Sequence, residues 1–507
     1  KYQFMNSDRI RFQNYKDKVI SAHQAAGFFK DKMVIGSSGF TKAGDSKAVL
    51  PAFALRAEHE NIGITLITGA SLGHTTDADL ARSNVLYKRM PFQVDPVMRG
   101  KINSGDILFI DQHLSETAEL LENKHLPKLD FAIIEAAYID ENGNIIPTTS
   151  VGNSATFAHL ADQIIIEINT SIPFEFKGIH DIFIPDAYPH RNPIHITTSD
   201  ERIGSDVIAI NPEKVVGIVF TEIPDSPAQT AAPDVKTTAI ANHLLAFFEK
   251  EIQSGRLTNS LMPLQAGIGK VANAVMSGLA KGNFENLVMY SEVLQDSTFE
   301  LIDTGKMTFA SASSITVSED CYKHILKHFD NYKDKIILRP QNISNAAEVI
   351  RRLGIIAINT AIEFDIYGNV NSTHISGTKM MNGIGGSGDF ARNAYLSIFV
   401  TQSSSKEFNA ISHVLPMVSH VDHTEHDVDI LVTEQGLADL RGLAPRERAR
   451  VIIQNCAHPE YRDQLQDYFE RACLRGGHTP HLLEESFLFH TRYTETGSMK
   501  QNCLVTY

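Results

Sequence analysis

"LMPLQAGIGKVANAVMSGLAKGNFENLVMYSEVLQDS", residues 261–297, holds two short apolar runs separated by a Gly-x-Gly turn and an amphipathic helix. Leu287, Val288 and Met289 in the second run read as a buried strand of the parallel-sheet type. Strand, turn, helix and strand in that order make a βαβ unit, so the stretch predicts an α/β architecture. The second strand ends on Glu292. Strands commonly end at the surface, where Glu is ordinary, but the strand ends of α/β sheets are also where active sites gather.

The same order of elements occurs earlier. "KMVIGSSGFTKAG" (32–44) is a strand entering a glycine-rich turn, "DSKAVLPAFALRAEHE" (45–60) a helix, and "GITLITGAS" (63–71) a strand. Further along each half lies a second matching pair, "FAIIEAAYIDENGNI" (131–145) and "IAINTAIEFDIYGNV" (356–370), each with an internal Glu and a closing Gly-Asn turn. The repetition predicts two related open α/β domains with mainly parallel sheets, residues 1–225 and 226–507. "TEIPDSPAQTAAPDVKTT" (221–238) lacks periodicity and forms the joint. The position matching Glu292 in the first half falls near Ala70 and Ser71, so only the second half carries a carboxylate there. From residue 435 onward the pattern reads as helical, a C-terminal cap that starts at Ala444-Pro445 and whose last helix closes at Gly476 and Gly477.

Composition narrows the function. A chain of 507 residues predicts more than one core. A net charge of −14 argues against nucleic acid as the main partner. No apolar run approaches the ~18–20 residues of a membrane span. The opening "KYQFMNSDRIRFQ" lacks the apolar centre of a signal peptide, and Met5 reads as the natural start with four added residues before it. Cys321, Cys456, Cys473 and Cys503 form no C-x-x-C pair, which fits the cytosol.

Several motifs compete for the site. "NGIGGSGDFARNAYLS" (382–397) satisfies G-x-G-x-x-G through Gly383, Gly385 and Gly388, but the polar "STHISGTKM" before it is a poor first strand for a dinucleotide fold. Free backbone N–H groups ahead of its helix could still hold an anion. His413, His420, His423 and His426 suggest a metal cluster, yet their spacing diverges on a helix and does not alternate on a strand, so a structural role is expected and no metal. There is no serine-hydrolase elbow and no ATP phosphate loop. Glu292 and "QAGIG" (265–269) remain. Adjacent parallel strands bring their ends together, so a carboxylate would face a turn rich in N–H groups, which suits acyl transfer. An unperturbed Glu, with a pKa of ~4.3, would already be ionised at neutral pH.

"YSEVLQD", "NGIGGSGDFARN", "DIYGNVNST" and "VTEQGLADLRGL" (432–443) closely resemble the class I CoA-transferases of the acetyl-CoA hydrolase/transferase family, from about residue 8 to the C-terminus. The resemblance implies the CoA-transferase fold and transfer of CoA from succinyl-CoA to acetate through acyl-glutamyl anhydride and glutamyl-CoA thioester. It places the nucleophile on Glu292, external oxyanion donors on Ile268 and Gly386, and an internal donor on Asn345 with Glu434 as its partner. CoA contacts carry over to Gly267, Ile268, Gly269, Lys270, Val271, Ile362, Asn382, Gly386 and Lys406. The small-acid pocket carries over to "GFTKAG" and Ser71. No cofactor is implied, because coenzyme A is substrate, and a homodimer acting on acyl-CoA and small carboxylates is expected. "FTEIPDSPAQ" departs from the family by lacking arginine, which leaves acid preference open. An acetyl-CoA hydrolase, or a non-catalytic CoA-binding protein, is the alternative.

Overall fold

The computed structural model describes residues 7–229 and 231–501; Met5 and Cys503 lie outside them. The first half forms a seven-stranded parallel sheet from β1 (Val34–Ser37), β2 (Ile64–Ile67), β3 (Leu86–Met90), β4 (Leu108–Phe109), β5 (Phe131–Ala136), β6 (Gln163–Asn169) and β7 (Val215–Thr221). Their spatial order is 4-3-2-1-5-6-7. The second half contributes β8 (Leu264–Ala266), β9 (Leu287–Tyr290), β10 (Met307–Ala312), β11 (Ile336–Leu338), β12 (Ile356–Thr360), β13 (Leu396–Val400), β14 (Ile430–Thr433) and β15 (Gly436–Asp439), in the order 11-10-9-8-12-13-14-15. Counted from its own first strand, the second sheet repeats the first and adds one antiparallel edge strand. Both sheets reverse their winding between the first and fifth strands, and such switch points open the crevices where α/β proteins bind ligands.

The likeness extends to single residues. A register shift between Ile64 and Thr65 in the β2–β3 pair recurs between Leu287 and Val288 in the β9–β10 pair. Aligned on that shift, Glu292 corresponds to Gly69, one residue before the expected Ala70 and Ser71. Glycine is required there, because a Cβ at Gly69 would lie 2.4 Å from the Gly39 carbonyl oxygen and 2.8 Å from Gln341 Oε1. The Gly-Asn turns also match: Asp140 Oδ1 accepts from the N–H groups of Asn142 and Asn144, and Asp365 Oδ1 from those of Tyr367 and Asn369. The glutamates inside the two segments do not match. With Phe131 aligned on Ile356 by strand pairing, Glu135 falls opposite Thr360 and Glu363 opposite Tyr138.

A continuous core includes Ile134, Ile164 and Ile166 from the first sheet and Leu264, Leu287 and Ile398 from the second. The helix Lys270–Lys281 turns Val271, Val275 and Leu279 inward, one residue per turn, as an amphipathic helix must. Three helices, Pro445–Cys456, Pro459–Arg475 and Leu488–Thr496, cover the far face of the second sheet through Ile452, Tyr461, Phe469 and Phe489. The cap therefore continues one helix beyond Gly476. Its start at Ala444-Pro445 is as expected, but the helical reading from residue 435 is not met, since residues 436–439 form β15: Gly436 passes so close to Asn455 that a Cβ would meet its carbonyl oxygen at 2.7 Å, and alternation in "GLAD" then buries Ala438. Among the described residues no helix is long and apolar enough to cross a membrane.

Candidate active site

Glu292 lies two residues beyond β9. Its carbonyl oxygen accepts from the N–H groups of Ser313 (2.8 Å) and Ser314 (3.1 Å), which pins the backbone where β10 ends. Its Oε1 accepts a 2.5 Å hydrogen bond from Asn345 Nδ2. Asn345 follows the short helix Gln341–Ser344, and the same Nδ2 donates to Asp389 Oδ2 at 3.0 Å. Asp389 sits in the helix Ser387–Asn393 and accepts from Ser115 twice, from Oγ at 2.5 Å and from N–H at 3.1 Å. Burial pushes the Glu292 carboxyl up to about 7; the Asn345 hydrogen bond opposes the rise and the charge of Asp389 adds to it. Burial likewise raises Asp389 to about 6 against the pull of Ser115, His113 and Asn345. Full ionisation of Glu292 at neutral pH, expected from its ordinary pKa, is therefore not met in this closed, acidic surrounding.

Gly386 lies directly against that carboxylate. A Cβ there would fall 1.2 Å from Glu292 Oε1 and 2.4 Å from Asn345 Nδ2. The surrounding glycine loop is gripped by the first half: Ile384 N–H donates to Asp111 Oδ1 (2.8 Å), and Leu114 N–H to the Gly385 carbonyl (3.3 Å). Gly388 makes room for His113 and Gly383 for Phe92. Before the loop comes an antiparallel ribbon, His374–Ile375 with Lys379–Met380, instead of the parallel first strand a dinucleotide motif needs.

The second glycine turn follows β8. Gly267 N–H bonds to Ile358 (2.8 Å), and Gln295 Nε2 reaches the Gly267 carbonyl (3.2 Å), tying the turn to the segment after Glu292. Gly269 at φ +132° opens the helix that begins with Lys270 and Val271. Ile268 is 55% exposed, and among the described residues neither its N–H nor that of Gly386 has a hydrogen-bond acceptor. The Gly386 donor lies against the Glu292 carboxylate, and the Ile268 donor lies in the turn that Gln295 ties to the segment after Glu292.

The other sequence-derived residues spread around this centre. Ile362 follows β12 and accepts from His413 at 2.6 Å; Asn382 Oδ1 caps the N–H of Gly383 at 2.7 Å. Lys406 is exposed beside Phe408, itself 87% exposed. Ser71 is buried, its carbonyl accepting from Lys42 N–H. Phe40, Ala70, Leu114 and Val293, with Phe92 against them, form a small apolar wall beside Glu292. Glu434 stands apart. It follows β14, four strand positions from β9 at ~4.8 Å each, and both its oxygens accept from Ser403. Burial opposes its ionisation, but these bonds hold its carboxyl below the ordinary value. It makes no hydrogen bond to Asn345, whose carboxylate neighbours are Glu292 and Asp389.

Asp389, Ser115 and His113 were not singled out from the sequence. Asp389 lies inside the "GSGDFARN" motif, but Ser115 and His113 occupy an ordinary stretch with no pattern. Of the histidines of 413–426, His423 Nε2 lies within hydrogen-bonding distance of Ser372 Oγ and Ser387 Oγ, His420 pairs with Asp422, His413 bonds the Ile362 carbonyl, and His426 is exposed at the surface. Among the described residues no group of three or more His, Cys, Asp or Glu side chains could hold a metal ion. The linker carries Asp225 into the first half's own crevice, where it accepts from Gly44 N–H and pairs with Lys47, each at 2.9 Å.

Comparison with known proteins identifies the family. Residues 5–220 match the acetyl-CoA hydrolase/transferase N-terminal domain and residues 319–469 its C-terminal domain. A succinyl-CoA:acetate CoA-transferase of Clostridium kluyveri is 48% identical over 97% of this chain and 92% of its own. An acetyl-CoA hydrolase of Candida glabrata is 44% identical over 97% of each chain. In fold, RipA from Yersinia pestis superposes with a TM-score of 0.71 at 22% identity, covering 91% of this chain and 98% of that one. Shared along nearly its whole length with such relatives, this chain belongs to the acetyl-CoA hydrolase/transferase family.

Proposed function

We propose that the protein transfers CoA from succinyl-CoA to acetate, giving acetyl-CoA and succinate, by a ping-pong reaction on Glu292. One observation carries this reading: the Glu292 carboxylate is held between the Asn345 amide and the Gly386 backbone, whose N–H is unengaged. Glu292 attacks the acyl carbonyl; the carbon–sulfur bond breaks, leaving an acyl-glutamyl anhydride and CoA thiolate. That step is uphill, since a thiol of pKa ~8.5 leaves less readily than a carboxylate, even one raised to about 7 as Glu292 is. The thiolate must stay bound, through the remote part of CoA, to attack the glutamyl carbonyl and release succinate. Acetate then attacks the glutamyl thioester and the steps run backwards. In this reading the Ile268 and Gly386 N–H groups would stabilise the first oxyanion and Asn345 the glutamyl one. Gly267–Val271, Ile362, Asn382 and Lys406 would contact CoA, and Ser71 with the apolar wall would shape the acid pocket.

This reading keeps residues 1–225 and 226–507 as the two domains, a cytosolic homodimer as the working form, and CoA as substrate with no further cofactor. Acetyl-CoA hydrolysis through the same intermediate is the second reading, favoured by the 44% identity to an acetyl-CoA hydrolase. Mass spectrometry of the intact protein separates them. With acyl-CoA alone and the acid product removed, the enzyme should gain the mass of CoA on Glu292, and acetate should discharge it into acetyl-CoA. Rapid release of free CoA without any added carboxylate would make the enzyme a hydrolase. Glu292→Ala should form no adduct.

A further inference from the structure

We propose that Asp389 is the positioning residue that turns the donor side of Asn345 toward Glu292, with Ser115 of the first half holding Asp389 in place. The inference rests on the glutamyl chemistry above. Asn345 Nδ2 lies between two carboxylate oxygens, at 2.5 Å from Glu292 and 3.0 Å from Asp389, while its Oδ1 is buried without a partner. An amide rotated by half a turn would set its oxygen against both carboxylates, so only one orientation is stable. Glu292 alone could not enforce it through a catalytic cycle. Once acylated or thioesterified, its oxygens lose their charge and become weaker acceptors. Asp389 keeps its charge and keeps the NH2 group aimed at the carbonyl that must be attacked next.

Ser115 gives Asp389 both of its donors, across 274 positions of sequence. The neighbouring Leu114 N–H holds the Gly385 carbonyl, and His113 fills the space left by Gly388. The first half therefore registers Asn345 and Gly386 together. Among titratable groups, Glu292 faces Asp389, and Asp389 faces His113 as well. On its outer side Asp389 borders a cavity of about 540 Å³ whose charged lining is Glu116, Glu119, Arg191, Glu348 and Arg392.

The test uses full-length Asp389→Ala, Asp389→Asn and Ser115→Ala proteins with acetyl-CoA and succinate. Asp389→Ala should lower kcat by about 100-fold, the scale of a ~1 Å misplacement, and leave the acyl-CoA KM within about twofold. Asp389→Asn can still accept from Asn345 through its amide oxygen, so most of kcat should survive at high pH. In Asp389→Asn the acid limb of the pH profile should move to lower pH, because the charge that disfavours ionised Glu292 is gone while the Asn345 hydrogen bond stays; in Asp389→Ala the loss of that hydrogen bond opposes the shift. Ser115→Ala should lower kcat less, with the limb retained. A merely structural Asp389 would leave the limb of Asp389→Asn unmoved, and that result overturns the proposal, as does an Asp389→Ala protein with wild-type kcat. If Asp389→Ala does not fold, the limb in Asp389→Asn and the kcat of Ser115→Ala decide. Failure of the glutamyl reading is distinct: the wild-type protein itself would then form no CoA adduct.

Discussion

Three forces meet on the Glu292 carboxyl: burial and the charge of Asp389 raise its pKa, and one short hydrogen bond from Asn345 lowers it. The resulting value of about 7 has two measurable consequences. Nucleophilic attack needs the ionised form, so kcat/KM for acyl-CoA should fall with a one-proton slope as pH drops below about 7. The folded-state pKa exceeds the unfolded value, so proton binding favours the folded state at low pH. That favour is lost as pH rises from the unfolded pKa through about 7. Glu292→Gln removes the penalty of the charged form. It should raise Tm at pH 8.5 and leave it nearly unchanged at pH 4, in paired melting curves. Gly386→Ala has no such freedom. Its methyl group would occupy the space of Glu292 Oε1, so activity should fall by at least the ~100-fold of a ~1 Å displacement, measured as the rate of adduct formation.

At the scale of elements, the protein uses one βαβ design twice and arms it once. Strand order and register shift are shared, but Glu292 in the second sheet is Gly69 in the first. The first-half position is filled from outside: Gln341 of the second half donates to the Gly69 carbonyl at 3.2 Å and to that of Leu114 at 2.9 Å. The first half's crevice thus serves as a docking surface for the segment that leads to Asn345. The turn after β8 depends on Gly269, whose φ of +132° is nearly closed to residues with a Cβ, although open space surrounds it. Gly269→Ala should cost about 1–3 kcal/mol in a denaturation curve and slow adduct formation, because relief of the strain moves the Ile268 N–H.

Across the whole molecule, the two halves are joined by charges taken out of water. Arg339, fully buried, pairs with Asp181 and donates to the Ser199 and Glu201 carbonyls at 3.1 and 2.6 Å. Within the first half, Lys47 is likewise enclosed by Glu135, Asp225 and Asp45 at 2.6, 2.9 and 3.4 Å. Such a pair gives little net stability, but losing one partner strands a buried charge at ~3–5 kcal/mol. Arg339→Met should therefore lower unfolding stability by about that amount, seen in urea titration as a shifted midpoint. A split of the transition in two would show that this join makes the halves unfold together. The first half also holds the surroundings of Glu292: Asp111 and Leu114 act through the glycine loop, and Ser115 through Asp389.

The sequence by itself determined the alternation of strands and helices, the two glycine turns, and a carboxylate at the end of β9. Each of these is local: hydrophobic period records which face is buried, and a glycine records a backbone that a side chain would obstruct. Even the doubling was readable, to within one residue at Gly69. Tertiary structure alone decided the rest. It placed Asp389 beside Asn345 and left Glu434 against Ser403, four strands away. It raised the Glu292 carboxyl above its ordinary range and brought Ser115 to Asp389 from 274 residues away. None of these has a periodic trace, because desolvation and hydrogen bonding depend on which segments meet in space, and a stretch such as Asp111–Ser115 shows nothing in its own composition of the loop it will grip.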